Sequence, residues 1–179
     1  MVMNQSVLAI MPVILVVVTA MIVLLGDLLR ATLLSDGIPS VPLAHELDFA
    51  RRYLEIESVR FEDRLRVHID VPEALLTARV PNFLLQPLVE NAIHHGINHL
   101  ATAGQVAITA HVDAEWLLID VWNDGTLHGD TSPTGVGLAA TRSRLTKLHG
   151  TEAHVILEPH AGGVRARVRL PLVRSDDAA

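Results

Sequence analysis

Four side chains that suit phosphate and metal chemistry stand close together in the segment Gln86–Gly96. They are Glu90, Asn91, His94 and His95, and the apolar residues around them have helical spacing. On a helix Asn91 and His95 share one face, and Glu90 and His94 share the adjacent face. A carboxylate, an amide oxygen and two imidazoles gathered there could serve Mg²⁺ and phosphate oxygens. The alternative is a polar helix end before a glycine stop.

Three glycine-containing segments downstream are weaker signals when each is taken alone. Asn123-Asp124-Gly125 directly follows a strand pattern and could be a plain turn. Gly135-Val136-Gly137-Leu138 opens a helical pattern, where glycines allow a phosphate to approach and a helix N-terminus favours anions. Gly162-Gly163 lies between two strand patterns and is typical of a hairpin turn.

The elements that must position these residues follow from hydrophobic periodicity. Spacings of three and four predict helices, and alternation predicts strands. The predicted helices are Val41–Val59, Val80–Ile97 and Gly135–Leu148. The predicted strands are Leu65–Val71, Gln105–Asp113, Trp116–Trp122, Glu152–Glu158 and Val164–Leu170. Ser35–Ser40 is predicted to be a linker and Asn123–Thr134 a loop.

Runs of strands kept apart from helices predict an α+β fold, arranged as a layered sandwich. In the first helix Leu43, Leu47, Ala50 and Leu54 lie on one face, which is the face expected to be buried. Pro42 suits the first turn of that helix.

Composition excludes several classes of protein. Fourteen Lys and Arg against twenty Asp and Glu give a net charge of −6, so we expect no nucleic-acid partner. The chain has no cysteine, which excludes disulfides, thiolate metal sites and cysteine nucleophiles. Abundant Leu, Val and Ile with a modest net charge exclude a disordered chain.

The N-terminal region raises the mean hydropathy of the whole chain. Val7–Leu25 is apolar except for Thr19, and its 19 residues match the length of a membrane-spanning helix. A buried helix in a bundle or dimer interface and a signal peptide are the alternatives, although Met1–Ser6 has no basic residue. Basic residues begin only after the segment, which would place the remainder of the chain in the cytoplasm.

At these spacings the four segments resemble the Bergerat ATP-binding fold shared by gyrase, Hsp90, MutL and histidine kinases. More narrowly, residues 26–173 resemble the LytS/YehU-type sensor histidine kinases. The resemblance depends most on Leu84–Gly96, and it continues through Gly26–Arg30, Val41–Leu43, Tyr53–Glu57, Arg60-Phe61, Gly135–Leu138, Thr141–Leu145, Gly150, Gly162-Gly163 and Leu170–Leu172.

The resemblance implies a domain organisation. Residues 1–34 would hold a transmembrane helix and the remnant of a dimerisation helix, and residues 41–60 would form a connecting helix. Residues 61–173 would be the ATP-binding domain, a two-layer α/β sandwich, and residues 174–179 a disordered tail.

The resemblance also implies roles at the phosphate end of the site. Asn91 would coordinate the Mg²⁺ that bridges the ATP phosphates, and Glu90 would be the base that polarises the incoming phosphoacceptor. His94 and His95 would approach the phosphates. The segment formed by Gly135, Val136, Gly137 and Leu138 would cradle the phosphates at the start of the third helix.

At the adenine end, Asn123, Asp124 and Gly125 would line the pocket, and residues 126–134 would form the ATP lid. Gly163 would close the pocket from the far strands. The implied reaction is transfer of the ATP γ-phosphoryl to a histidine, with relay to a response regulator. The implied setting is a homodimer anchored in the cell inner membrane through residues 7–25, with the catalytic domain in the cytoplasm.

Three departures from the family pattern keep an alternative open. The adenine-reading position holds Asn123 where an Asp is usual, which loses the strength of a charge-assisted acceptor unless Asp124 compensates. Val164 stands where a Thr is usual, and the phosphoacceptor motif is absent upstream of Gly26. The alternative is a truncated or non-catalytic member, such as a pseudokinase, an anti-sigma-like protein or a dimerising scaffold.

Overall fold

A computed structural model describes residues 40–126 and 136–173 of the chain. The predicted membrane segment Val7–Leu25, most of the linker and lid, Gly135 and the tail 174–179 lie outside these described residues. None of the helices within the two described ranges has the length and apolar character needed to cross a membrane.

The described chain alternates short helices with strands. Its helices are α1 (Leu43–Phe61), α2 (Gln86–Asn91) and α3 (Val136–His149). A π turn at Ala92–Gly96 and a 3₁₀ turn at Ile97–His99 follow α2 directly. The strands are β1 (Ser40–Pro42), β2 (Leu65–Asp70), β3 (Arg79–Pro81), β4 (Gly104–Asp113), β5 (Trp116–Asp124), β6 (His154–His160) and β7 (Gly163–Pro171).

Five of the described strands form one mixed sheet in the order β2-β4-β5-β7-β6. The pairing of β2 with β4 is parallel, and the other three pairings are antiparallel. Separately, β1 pairs with β3 as a small antiparallel ribbon. Helices cover one face of the five-stranded sheet, which confirms the predicted α+β sandwich.

The core lies between the helices and one face of the sheet. Alternate residues of the central strands point into it because side chains of a strand alternate between faces. Its buried members include Ile108, Ile119, Val121, Val168 and Leu170 from the strands. The predicted face of α1 is buried against them at Leu43, Leu47, Ala50 and Leu54.

The other face of the sheet carries a charged ladder. β7 directs Arg165, Arg167 and Arg169 away from the helices, while its intervening residues enter the core. Arg167 donates two hydrogen bonds to the Asp120 carboxylate on β5, at 2.7 and 2.6 Å. Arg165 pairs with Glu158 on β6. These pairs link three adjacent strands on the face opposite the helices.

The boundaries of α1 and α3 differ slightly from the predictions. α1 begins at Leu43 because Pro42 has an extended backbone with φ −60° and ψ 143°, so the proline precedes the helix and is outside its first turn. α3 ends at His149, and Gly150 follows with φ +74°, a left-handed conformation that glycine adopts without strain.

The helix predicted over Val80–Ile97 is wrong in its first part. Arg79–Pro81 forms a strand with Ser40–Pro42, and Phe83 has φ +57°, which no helix accommodates. The Glu46 carboxylate accepts hydrogen bonds from the backbone N–H groups of Phe83 (2.8 Å) and Leu85 (2.9 Å). This buried carboxylate holds the turn from which α2 begins.

Arg144 holds the same turn from the other side. Its side chain is 6% exposed, and Nη1 donates to the backbone carbonyl of Asn82. Glu46 comes from α1 and Arg144 from α3, so two buried charges from different helices hold one short turn. Each takes the backbone groups that match its charge, which is why both tolerate burial.

The loop predicted to begin at Asn123 begins later. Asn123 and Asp124 are the last residues of β5, because they pair with Val164 and Gly163 of β7. The turn between β6 and β7 is Ala161-Gly162, with φ of 49° and 76°, and Pro159 and His160 belong to β6. β6 therefore lies two residues later than predicted, and β7 is one residue longer at each end.

Candidate functional site

The polar side chains at the end of α2 gather around one cavity. Glu90 and Asn91 are half-buried, whereas His94 and His95 are exposed. A cavity of about 230 Å³ is lined by these four residues together with Pro87, Gly137 and Leu138. Helical spacing predicted the grouping of the four, and the structure adds that the start of α3 forms the facing wall.

Glu90 is oriented from within its own helix. Gln86 lies one turn earlier, and its Nε2 donates a 2.7 Å hydrogen bond to Glu90 Oε1. Such an i, i+4 contact is the natural geometry of a helix face. The contact fixes the direction of the carboxylate beside the cavity.

The helix changes its winding where the two histidines lie. Ala92–Gly96 forms a π turn, and Ile97–His99 tightens to a 3₁₀ turn. A π turn inserts an extra residue and turns the following side chains relative to the preceding helix. Hydrophobic spacing does not indicate this change, which places His95 between the first cavity and a second one.

The second cavity has a volume of about 380 Å³ and opens on the other side of His95. Its lining residues come from the π and 3₁₀ turns and the loop that leads to β4, from the end of β5 and the two residues after it, and from the β6–β7 turn: His95, Gly96, His99, Leu100, Thr102, Ala103, Asp124, Gly125, Thr126 and Gly162. Sequence reasoning did not single out His99, Leu100, Thr102 or Ala103. Their only signal is their position between the polar motif and the following strand.

Asn123 lies between the helix end and the sheet, beneath residues that line the second cavity. Its side chain is 4% exposed, and its Nδ2 donates a 2.9 Å hydrogen bond to the carbonyl of Asp124. A β-carbon on Gly96 would lie 2.0 Å from that Nδ2. Because Nδ2 is used within the chain, Oδ1 is the amide atom that can accept a hydrogen bond from a ligand.

The Asp124 side chain forms a hydrogen bond with the neighbouring strand. Its Oδ2 accepts a 2.8 Å hydrogen bond from the backbone N–H of Gln105. That contact joins the end of β5 to the start of β4, although Asp124 also lines the second cavity. One oxygen of the Asp124 carboxylate is therefore used within the sheet, and Asn123, unlike Asp124, lines neither cavity.

Gly163 is required by the close approach of two strands. A β-carbon there would lie 2.3 Å from the backbone oxygen of Asn123 and 2.7 Å from the Trp122 ring. Gly163 lines neither cavity; its neighbour Gly162 lines the second one. Val164 is buried and pairs with Asn123 across the sheet.

The predicted glycine segment before α3 is described only in part. Gly135 lies outside the described residues, and Val136 is the first residue of α3. Gly137 packs closely on α2, since a β-carbon there would lie 3.3 Å from Pro87 Cβ. Leu138 is buried. The start of α3 therefore lies against the residues that precede Glu90 and Asn91.

A metal ion at this site would need ligands from outside the chain. Within residues 40–126 and 136–173, no group of three or more His, Asp or Glu side chains could hold a metal. Mg²⁺ is commonly bound by one or two protein oxygens together with substrate phosphates and water. The Asn91 amide oxygen fits such coordination shared with a substrate. One amide oxygen does not by itself form a permanent metal centre.

Two family models match the chain. The model described as histidine kinase-, DNA gyrase B-, and HSP90-like ATPase matches residues 81–174, more than half of the chain. The model described as histidine kinase matches residues 16–65. The first match contains every residue that lines the two cavities.

Curated relatives are sensor proteins of bacteria. The sensor histidine kinase BtsS of Escherichia coli strain K12 is 37% identical over 134 residues, covering 73% of this chain and 24% of BtsS. The sensor protein LytS of Enterococcus faecalis is 28% identical over 151 residues, covering 76% of this chain and 26% of LytS. The chain thus spans about a quarter of the length of these relatives.

Solved structures share the fold. The Acinetobacter baumannii histidine kinase AdeS superposes with a TM-score of 0.67 at 14% identity, covering 92% of this chain and 84% of that one. A structure of histidine kinase ThkA in complex with response regulator protein TrrA gives a TM-score of 0.66 at 17% identity, covering 97% and 53%. At these identities the likeness concerns the fold alone.

Proposed function

Since the chain belongs to the family of histidine kinase-, DNA gyrase B- and HSP90-like ATPases, we propose that it binds Mg-ATP and transfers the γ-phosphoryl group to a histidine. The described residues form the ATP-binding catalytic domain of a two-component sensor kinase.

One observation carries the proposal: two cavities of different chemistry meet at His95. The smaller has Glu90, Asn91 and the start of α3, and suits phosphates and a metal. The larger lies above Asn123 and Gly96, and suits a flat base with an exocyclic amine. A nucleoside triphosphate has these two ends in one molecule, and a volume of a few hundred Å³ is usual for small-molecule sites.

At the phosphate end the proposed roles follow from chemistry. The Asn91 amide oxygen is a hard ligand for Mg²⁺, and bound Mg²⁺ would neutralise charge on the phosphates. Glu90, held by Gln86, would take the proton of the attacking imidazole. His94, His95 and the segment Gly135–Leu138 would contact phosphate oxygens, with the N-terminus of α3 adding its dipole.

At the base end Asn123 Oδ1 would accept a hydrogen bond from the exocyclic amine of adenine. The backbones of Gly96 and Gly125 pack against this amide, so closely that a β-carbon on either residue would lie within 3.0 Å of Asn123 Nδ2. Asp124 and Gly162 would form the rim, and Gly163 would support them through the strand pairing. Residues 126–134 would cover the nucleotide.

We also propose the setting in which the domain works. The apolar segment 7–25 would anchor it in the cell inner membrane, with the catalytic domain in the cytoplasm, since the curated relatives are sensor proteins. A homodimer and a response-regulator partner are proposed by analogy; the solved ThkA complex pairs a histidine kinase with a response regulator.

The proposal is tested by incubating the 179-residue chain with γ-labelled ATP and Mg²⁺. We expect a protein-bound label that is lost in acid and stable in base, as a phosphohistidine is. Glu90→Gln should abolish the label and keep nucleotide binding, whereas Glu55→Gln, an exposed change on α1, should leave both intact. Because the family's phosphoacceptor motif is absent upstream of Gly26, a chain that binds Mg-ATP yet gains no label would overturn transfer to a histidine of this chain and leave a partner's histidine or the non-catalytic alternative.

A further inference from the structure

A polar contact chain connects α1 to the phosphate end of the site. Arg60, in the last turn of α1, places its Nη2 between two oxygens of different elements. One is Glu57 Oε2 of α1, at 3.0 Å, and the other is Asn98 Oδ1, at 2.8 Å, to which Nη2 donates. Asn98 lies in the 3₁₀ turn that follows the π turn of His94. One guanidinium nitrogen thus bridges the two helical segments.

Arg60 is held in place by its neighbours. Its guanidinium lies over the Phe61 ring, 4.6 Å from the ring centroid, a cation–π arrangement. The Glu57 carboxylate beside it is 8% exposed, so its negative charge favours a cation next to it. Tyr53 lies one turn earlier, and burial raises the pKa of its phenol, with Glu57 and then Glu90 adding to the effect.

The direction of each hydrogen bond along this chain is determined by Arg60. A guanidinium can only donate, so the Asn98 oxygen must face it. The Asn98 amide nitrogen then faces His94 Nδ1, at 3.4 Å. Because an amide nitrogen only donates, Nδ1 must accept, and a neutral imidazole that accepts at Nδ1 carries its proton on Nε2. His94 lines the smaller cavity beside Glu90 and Asn91.

We infer that Arg60 is a positioning residue which, acting through Asn98, fixes His94 as the tautomer with its proton on Nε2. His94 then offers a hydrogen-bond donor, and not a lone pair, to the cavity that it lines. A hydrogen-bond donor attracts phosphate oxygens, whereas a lone pair repels them. The inference rests on the proposed function, because that function identifies the ligand as a phosphate. α1 thereby controls a group at the phosphate end without reaching the site itself.

The direct test is the tautomer of His94 in the nucleotide-free chain. Two-bond ¹H–¹⁵N spectra of the histidine-labelled 179-residue chain at about pH 8, where free imidazole is neutral, distinguish the two tautomers. The signal is assigned by its loss in His94→Gln. We expect the Nε2–H form in the unmodified chain. Asn98→Asp should convert His94 to the Nδ1–H form, since a carboxylate accepts from both Arg60 and the imidazole.

A second measurement uses a charge-matched pair of variants. Arg60→Gln and Arg64→Gln each remove one positive charge near Phe61, whose ring the Arg64 guanidinium also approaches, at 5.9 Å. Arg60→Gln should populate both tautomers and weaken Mg-ATP binding by roughly three- to tenfold, the value of one ordinary hydrogen bond. Arg64→Gln should change neither.

The outcomes separate the two proposals. An unchanged His94 spectrum in Asn98→Asp would overturn the positioning role, whatever the chain does with ATP. A spectrum that changes as expected in a chain without affinity for Mg-ATP would instead refute the proposed function and leave the tautomer control standing.

Discussion

The amide of Asn123 lies against the backbone of Gly96, so closely that a β-carbon on Gly96 would be 2.0 Å from Asn123 Nδ2. The end of the π turn and the end of β5 therefore meet at a distance that no side chain at residue 96 permits. This contact fixes the height of the asparagine beneath the larger cavity. It joins the two segments of sequence that carry the chemistry.

Gly96→Ala should damage the site by displacing Asn123. The added methyl group needs the amide to move, and overpacking of this kind costs about 1–3 kcal/mol. We expect a lower free energy of unfolding in urea and Mg-ATP affinity weakened by at least about tenfold. Adding Asn123→Ala to this variant should recover stability but not affinity. Unchanged Mg-ATP affinity in Gly96→Ala would show that the contact between Gly96 and Asn123 does not position the nucleotide site.

Asn123→Ala should reduce discrimination between nucleotides. Oδ1 can accept from the exocyclic amine of adenine, whereas guanine presents a carbonyl at that position. The hydrogen bond is worth about 1 kcal/mol, so the preference for ATP over GTP should fall by roughly fivefold. Calorimetric titration with each nucleotide measures it, and GTP serves as the internal control. An unchanged ratio would show that Asn123 does not read the base.

Asp120→Asn should affect stability and leave the site alone. Asp120 is 7% exposed and accepts two hydrogen bonds from Arg167 on the sheet face opposite the helices. The substitution removes the charge of a largely buried residue that forms two hydrogen bonds. The free energy of unfolding should therefore fall by about 1–3 kcal/mol. Urea unfolding measures the loss, and the Kd for Mg-ATP should stay within about twofold. A large change in Kd would mean that the outer face is coupled to the cavities.

The stability of the domain should fall in mild acid through His149. Burial lowers the pKa of this histidine at the end of α3. Between its folded pKa and the ordinary value of about 6.5, the unfolded chain binds more protons, so the free energy of unfolding decreases as pH falls through this range. His149→Gln should flatten the slope of unfolding free energy against pH between about pH 7.5 and 5.5. A slope identical to that of the unmodified chain would contradict the assignment.

The spacing of apolar residues predicted the elements that are stabilised mainly by the burial of one face. The apolar face of α1 and the alternation in β4 and β7 appear in the structure as predicted, because periodicity reports directly which side of an element faces the core. The grouping of Glu90, Asn91, His94 and His95 followed for the same reason, since a helix brings residues four apart together.

Long-range contacts determine the elements that local sequence pattern did not predict. Val80 and Phe83 continue a helical spacing, yet pairing with Ser40–Pro42 makes a strand and Glu46 stabilises the turn that follows. Asn123 looked like the start of a loop until pairing with β7 extended its strand. In each case the deciding partner lies at least 37 residues away in the chain.

Calorimetric titration of the 179-residue chain with ATP, in Mg²⁺ and in EDTA, measures whether the two cavities hold a nucleotide and its metal. We expect saturable binding that weakens in EDTA, and Asn91→Ala should lose the Mg²⁺-dependent part while keeping its melting temperature, since Asn91 is half-exposed at the end of α2. Binding unaffected by Asn91→Ala, or no binding at about millimolar ATP, where even a weak site fills, would contradict the assignment of these cavities to a nucleotide.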